Sequence, residues 1–123
     1  FTANLPAAGN VGSTKLVWAA TDLAQAQTID WIVQGSTYGR YNATVGTRGA
    51  SLAACGWTDI DGDGVMAADG VFQPQINAAG GVTIAPPAAP CDPATDTNGL
   101  GLTYTHGTTP MGGVISISSD KVF

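Results

Sequence analysis

The sequence contains no glutamate and few charged side chains of any kind. Charged residues make up 11% of the 123-residue chain, well under the roughly 25% of an ordinary soluble domain. All nine acidic residues are aspartates, and the four basic residues leave a net charge of −5. Because the basic residues form no cluster, we expect neither nucleic acids nor anionic lipid surfaces as partners.

Small side chains take the place of the missing long charged ones. Thr, Ser, Ala, Gly and Asn lose little side-chain entropy when a surface is ordered against a neighbouring molecule. The composition therefore favours a secreted protein that packs against copies of itself or against other proteins. An ordinary extracellular domain is the alternative that composition leaves open.

Sequence signatures of catalysis are missing too. The single histidine, His106, is not accompanied by a GxSxG motif, and no GxxxxGK phosphate loop is present. Acid–base catalysis by paired carboxylates needs one of them in an apolar pocket, whereas most aspartates here have Gly or Thr neighbours. We predict that the chain is not an enzyme; a small secreted hydrolase that uses His106 is the alternative.

Long apolar runs and internal repeats are also missing. No stretch approaches the ~20 apolar residues that a membrane-spanning helix needs, so we predict no direct membrane span. A chain of this length forms one domain. Residues 1–13 are interrupted by Gly and Pro, which predicts an extended N-terminal arm. We therefore predict a single globular domain over residues 1–123.

The two cysteines, Cys55 and Cys91, lack the short spacing of a metal-binding or redox CxxC motif. Together with the sparse charge, this spacing favours an oxidising compartment and predicts one disulfide between them. Such a bridge would close a loop of about 35 residues and contribute roughly 3–4 kcal/mol by restricting the unfolded chain. Two buried free thiols are the alternative.

Residues 14–33 lie in the longest stretch without Gly or Pro. On a helical wheel Leu16 and Leu23 share one face, whereas Trp18 falls on the far side, so the segment is apolar nearly all round. A helix of that kind is buried on more than one side. In a domain this small, the second burying surface would belong to another chain. We predict a helix over residues 14–27.

The same segment supplies the predicted contacts between subunits. Beyond residue 27, Ile29, Trp31 and Val33 alternate with other residues, so a strand competes with the helix there. The side chains predicted to form the subunit interface are Leu16, Trp18, Leu23, Ile29, Trp31, Ile32 and Tyr38.

Short strands separated by turn residues are predicted for the rest of the chain. "GSTYGRYNATVG" is typical of a turn and a strand, "VFQPQI" of a strand broken by Pro74, and "GGVTIAPPAAP" of a strand before a rigid connector. "LGLTYTHG" and "GGVISISSDKVF" are predicted to form a hairpin, and residues 49–57 to be irregular. We predict an α+β fold: one N-terminal helical segment packed on a small antiparallel sheet, with long loops and one disulfide.

The strongest chemical pattern is the aspartate loop "TDIDGDGVMAADG", residues 58–70. In a calcium-binding loop, positions 1, 3 and 5 supply carboxylates, and Gly at position 6 permits the sharp turn. Asp59, Asp61, Asp63 and Gly64 match those positions, and Val65 would supply its backbone carbonyl at position 7. The pattern predicts a Ca²⁺ site, and an aspartate-rich turn without metal is the alternative.

The second half of this calcium loop is imperfect. Position 12, which is acidic in the full motif, is Gly70, although Asp69 precedes it. The predicted disulfide would bring Asp92 and Asp96 near the start of the loop as additional ligands. The predicted metal ligands are therefore Asp59, Asp61, Asp63, Val65 and Asp69, with Asp92 and Asp96 as an extension.

The stretch "AATDLAQAQTIDWIVQGSTYG" resembles the end of the long N-terminal helix of a type IV pilin or pseudopilin. In that family a helix of small residues ends in a polar bend, and a short turn then opens the loop to a small antiparallel sheet. A single disulfide and Asp/Gly calcium loops also occur in the family, and would correspond to Cys55, Cys91 and the 59–69 loop. The residues that carry the resemblance are Ala20, Asp22, Leu23, Gly35, Thr37 and Tyr38.

The pilin resemblance implies a structural role. Leu5 and Pro6 interrupt the region where a pilin has its apolar stalk. The resemblance therefore implies either that the stalk helix was truncated or that a separate short helical chain supplies it, as in split type IV pilins. We predict a secreted bacterial subunit of an extracellular or cell-surface filament that acts by packing, with a second copy or a short helical pilin chain as partner. The alternative is a calcium-stabilised secreted module that binds carbohydrate or protein.

Overall fold

The computed structural model of the chain describes residues 1–88, 90 and 104–118. Over these residues the fold is mostly β, with one four-stranded sheet, two two-stranded sheets and one short helix. The elements are β1 (Leu16–Val17), α1 (Ala20–Gln27), β2 (Ser36–Thr37), β3 (Gly39–Val45), a 3₁₀ turn (Thr47–Gly49), β4 (Leu52–Thr58), β5 (Ala67–Gln73), β6 (Gln75–Ile76), β7 (Val82–Ile84) and β8 (Val114–Ser118).

The main sheet is antiparallel, with its strands in the order β3–β4–β5–β8. β4 pairs with both β3 and β5 along all seven of its residues. The two small sheets pair β1 with β2 and β6 with β7. Because successive side chains of a strand point to opposite faces, these registers decide which residues enter the core.

The predicted α+β fold is wrong, because the described residues are mostly β and contain only one short helix. A helix was expected over residues 14–27, but Leu16 and Val17 pair with Thr37 and Ser36 as strand β1, and the helix has only eight residues. The helix begins at Ala20 because the buried Asp22 carboxylate accepts a hydrogen bond from the Ala19 N–H at 3.0 Å. A carboxylate in the first turn is a favourable helix start.

The prediction that residues 49–57 are irregular is also wrong, because β4 occupies most of this range. Ala53, Cys55 and Trp57 are buried, whereas Ala54 and Gly56 on the opposite face are less so. Ala and Gly have little intrinsic preference for strands, and pairing on both sides outweighs that weak preference.

Strands β3, β7 and β8 lie where the sequence patterns predicted strands. β3 lies within "GSTYGRYNATVG", β7 within "GGVTIAPPAAP" and β8 within "GGVISISSDKVF". Pro74 separates β5 from β6, as expected of a residue that cannot donate to a sheet. A strand was also predicted over residues 100–105. Residues 100–103 lie outside the described part of the chain, and Tyr104 and Thr105 are not in a strand.

The N-terminal arm covers the outer edge of β3. The Leu5 N–H donates to the Tyr41 carbonyl at 2.8 Å, and the Tyr41 N–H donates back to Leu5 at 2.7 Å. Arg40 adds bonds from Nε to the Pro6 carbonyl and from Nη2 to the Ala7 carbonyl. The arm thereby satisfies backbone groups that an exposed edge strand would leave unpaired.

The core lies mainly on one face of the sheet, where Trp57 and Phe72 are buried almost completely. Trp57 packs with Val11 and Leu16, whereas Phe72 packs with Ala53 and, at its border, with Tyr104 and Ile115. A third cluster joins the arm to the helix through Leu5, Trp18 and Ala26.

One half of the predicted disulfide lies in this core. Cys55 is 6% exposed in β4 and belongs to the Trp57 cluster. Cys91 lies outside the described residues, which therefore contain no complete disulfide. The Cys55–Cys91 bridge stays a prediction.

Phe72→Ala tests the division between core and surface. Removing a fully buried Phe side chain should lower the free energy of unfolding by about 3–5 kcal/mol, because transfer energy is lost and a cavity remains. Val17→Ala, at a side chain that is 71% exposed, should change it by less than about 0.5 kcal/mol. Urea denaturation of both variants measures the difference, and equal effects would contradict the assignment of the core.

Candidate functional site

The aspartate loop connects β4 to β5, the two central strands of the main sheet. Asp59 follows the last residue of β4 and is only 6% exposed. Its Oδ1 accepts a hydrogen bond from the Gly62 N–H at 2.9 Å, and its Oδ2 accepts one from the Gly64 N–H at 3.2 Å. Gly62 and Gly64 have φ angles of 77° and 86°, which favour glycine. The loop is thus folded around the Asp59 carboxylate.

Three predicted metal ligands come together in this loop. One carboxylate oxygen from each of Asp59, Asp61 and Asp63 lies within 4.8 Å of the other two. Asp61 and Asp63 are exposed, and Asp63 Oδ1 also accepts a hydrogen bond from the Val65 N–H at 2.7 Å. Carboxylates at this spacing repel one another, and hard oxygen donors are the ligands that Ca²⁺ prefers. The donor set therefore fits a cation such as Ca²⁺.

The remaining predicted ligands are placed differently. Asp69 is in β5, opposite Gly56 on one side and Ser116 on the other, and is not part of the three-carboxylate cluster. The loop is shorter than predicted because Ala67 already pairs with Thr58. Val65 stays in the loop with its side chain exposed.

The two additional ligands proposed from the disulfide, Asp92 and Asp96, lie outside the described residues.

A second candidate site is a groove of about 450 Å³ on the sheet face opposite Trp57 and Phe72, which we call the open face. Its floor contains a row of paired residues across the four strands: Ala43, Ala54, Val71 and Val114. Val114 is 77% exposed. This groove was not predicted from the sequence. The only feature of the sequence that pointed to it was the alternation of small residues, Ala54 and Gly56, in β4.

Aromatic side chains form one wall of the groove. The Trp31 and Tyr41 rings lie 4.9 Å apart between centroids in a T-shaped arrangement, and Trp18 packs on Trp31 from behind at 5.3 Å. Tyr41 can lie across the sheet because its partner is Gly56, where a Cβ atom would come within 2.7 Å of the ring. Burial raises the pKa of the Tyr41 hydroxyl above its ordinary value.

Charge in the groove is limited. Asp69 supplies the only carboxylate among the residues that line it. The side chain is exposed and lies beside Gly56 and Ser116 on the neighbouring strands. The groove is thus largely apolar, with one acidic position.

The predicted interface residues divide between the interior and the surface. Leu16 and Trp18 are buried, at 6% and 7% exposure, and Leu23 and Trp31 are half-buried. These four apolar side chains pack within the domain's own hydrophobic clusters. The side chains that do reach the surface are Ile29, Ile32 and Tyr38.

Two other sequence candidates have simple environments. His106 is exposed, and its Nδ1 lies 3.4 Å from the Tyr104 hydroxyl. The sequence also contains the N-glycosylation pattern Asn-X-Thr at residues 42–44. Asn42 is 5% exposed, and its Nδ2 donates to Asn4 Oδ1 at 2.8 Å. The folded domain therefore shields the nitrogen that a glycan would occupy.

Comparison with protein-family models, with curated proteins and with solved structures finds no match for the chain. Within the described residues, no helix has the length and apolarity required to cross a membrane.

Asp61→Ala tests the metal site, because this exposed carboxylate can be removed without opening the core. For the unmodified chain, Ca²⁺ at ten to a hundred times its Kd should raise the free energy of unfolding by about 1–3 kcal/mol. Loss of a ligand should abolish most of that gain, whereas Asp69→Ala, an exposed aspartate outside the cluster, should retain it. Thermal melts in Ca²⁺ and in chelator measure the effect. Identical melting temperatures for the unmodified chain in both would argue against a metal.

Proposed function

We propose that this protein is a structural subunit of an extracellular filament, a pilus or pilin-like fibre, and that it acts by packing without catalysis. The observation that carries this proposal is the open face of the main sheet. The face combines a floor of small apolar residues with a wall of aromatic ones and a single carboxylate.

A sheet normally buries its apolar face against a second layer of structure. Trp57, Phe72 and their neighbours fulfil that requirement on one face, whereas Trp18 and Trp31 cover only the Tyr41 end of the other. On the other face, Val71 and the 77% exposed Val114 lie in the groove without a covering layer from the described residues. A neighbouring subunit that covered this face would remove apolar surface from water at a gain of roughly 25 cal/mol per Å².

Two exposed apolar residues of the segment after the helix would extend the proposed contact surface. Ile29 lines the groove and is 54% exposed, and Ile32, three residues further along the chain, is 75% exposed. Few flexible charged side chains surround them, since the chain has only four Lys and Arg residues. Such a surface loses little entropy on assembly. The proposed partner is a second copy of this chain or a short helical chain of the pilin type.

The aspartate loop has a supporting role in this proposal. It joins β4 and β5, whose residues form the middle of the groove floor. A Ca²⁺ ion held by Asp59, Asp61 and Asp63 would neutralise the repulsion among them and brace this end of the sheet. The ion would stabilise the packing surface and would take no part in a reaction. An extracellular location, where Ca²⁺ is abundant enough for weak sites, is part of the same proposal.

A second candidate function is a calcium-stabilised secreted module that binds a carbohydrate or a protein. The specific observation in its favour is that the groove volume of about 450 Å³ lies within the range of ligand pockets, roughly 300–1,000 Å³. Trp31 and Tyr41 are the aromatic side chains that would contact a sugar. Binding on a glycan array that is lost in Trp31→Ala would favour this function over packing.

Ala54→Arg tests the filament proposal, because Ala54 lies in the middle of the groove floor. A long cation there should prevent a neighbouring chain from covering the face, and filaments of the native material seen by electron microscopy should disappear. Ala79→Arg, in the exposed turn between β6 and β7, should assemble normally. Circular dichroism of both variants checks that the sheet is intact.

Two results would contradict the proposal. One is a native protein that stays strictly monomeric at high concentration and gives no filaments. The other is normal assembly of a correctly folded Ala54→Arg variant.

A further inference from the structure

Three aspartates in this chain precede a glycine, giving the bonds Asp61–Gly62, Asp63–Gly64 and Asp69–Gly70. Asp–Gly is chemically the weakest point of many chains, because the glycine nitrogen has no side chain to hinder it. That nitrogen can attack the side-chain carboxyl carbon of the preceding aspartate. A C–N bond forms, the carboxyl C–O bond breaks, and one water leaves to give a five-membered succinimide. Water then adds back to open either C–N bond of the ring, yielding aspartate or isoaspartate, with no oxidation or reduction.

The first two of these bonds share one unusual feature. The nitrogen that would attack Asp61 belongs to Gly62, and it donates to Asp59 Oδ1 at 2.9 Å. The nitrogen that would attack Asp63 belongs to Gly64, and it donates to Asp59 Oδ2 at 3.2 Å. One buried carboxylate therefore holds both reactive nitrogens.

We propose that Asp61 and Asp63 are sites of isoaspartate formation, and that Asp59 protects both of them in the folded protein. Attack requires the nitrogen to give up its proton and to turn toward its own aspartate. A carboxylate acceptor makes the existing hydrogen bond charge-assisted and opposes both steps. Asp59 is 6% exposed, so water competes little for its oxygens.

The third bond, Asp69–Gly70, provides an internal control. It lies in the middle of β5, where Gly70 is paired with Cys55 on one side and Ile115 on the other. This extended, doubly paired backbone keeps the Gly70 nitrogen away from the Asp69 side chain without any help from Asp59. Isomerisation at Asp69 therefore reports general unfolding, and isomerisation at Asp61 and Asp63 alone reports loss of the local protection.

The modification would have a structural consequence. Isoaspartate places one extra methylene in the main chain and shortens the branch that carries the carboxylate. Either change at Asp61 or Asp63 would separate the three oxygens that now lie within 4.8 Å of one another. Asp59 would thus preserve the geometry of its own cluster over the lifetime of the protein. The inference concerns peptide bonds of this chain and does not rest on the proposed filament.

The test compares the full chain with its Asp59→Asn and Asp59→Ala variants during incubation in mildly acidic buffer at physiological temperature. Peptide mapping with electron-transfer fragmentation separates aspartate from isoaspartate at each position. Hydrogen bonds to charged groups are strong enough that their loss should speed isomerisation at Asp61 and Asp63 by about tenfold or more in Asp59→Ala. Asp59→Asn keeps one acceptor oxygen and should give a smaller increase, and Asp69 should stay unmodified in all three proteins.

A fourth sample, the wild-type chain in urea, keeps the inference falsifiable if Asp59→Ala folds poorly. Unfolding removes the protection, so Asp61 and Asp63 should isomerise faster there than in the folded chain. The inference is overturned if the folded and unfolded wild-type chains isomerise equally fast at these positions. It is also overturned if the Asp59 variants match the wild-type chain, or if Asp69 isomerises as fast as Asp61 and Asp63 in a variant that circular dichroism shows to be folded.

Discussion

The pairing of β4 with both of its neighbours is the constraint on which the rest of this structure depends. Along seven consecutive residues, β4 is held by β3 on one side and β5 on the other. This register directs Cys55 and Trp57 into the core and places Ala54 and Gly56 on the open face. Since a shift by one residue would exchange the two faces, the core and the groove are two consequences of a single register.

The same strand connects the groove to the aspartate loop. Gly56 leaves room for the Tyr41 ring to lie across the sheet, and Trp31 completes that wall. A few residues later β4 ends at Thr58, and the buried Asp59 carboxylate organises the turn into β5. Small residues, an aromatic wall and an ordered acidic turn therefore occur together because one central strand positions all three.

Local sequence patterns predicted the strands whose own residues favour strand structure. β3, β7 and β8 contain β-branched or aromatic residues between turn residues, and their positions were recognisable. The helix was overestimated because Leu16 and Val17 have no local feature that prevents helix formation; only their pairing with Thr37 and Ser36 makes them a strand. β4 was missed because Ala53, Ala54 and Gly56 have little intrinsic preference for a strand. Only the pairing of β4 with its two neighbours makes these residues a strand.

The sequence by itself determined the aspartate cluster, because Asp59, Asp61 and Asp63 are close in the chain and the glycines between them permit the turn that brings their oxygens together. Only the tertiary structure decided that Asp69 leaves this cluster and joins the groove, since its position follows from pairing with Gly56. The open face itself is also a tertiary result. It is assembled from three consecutive strands, β3, β4 and β5, and from β8 much further along the chain, and no local pattern encodes which of their side chains share a surface.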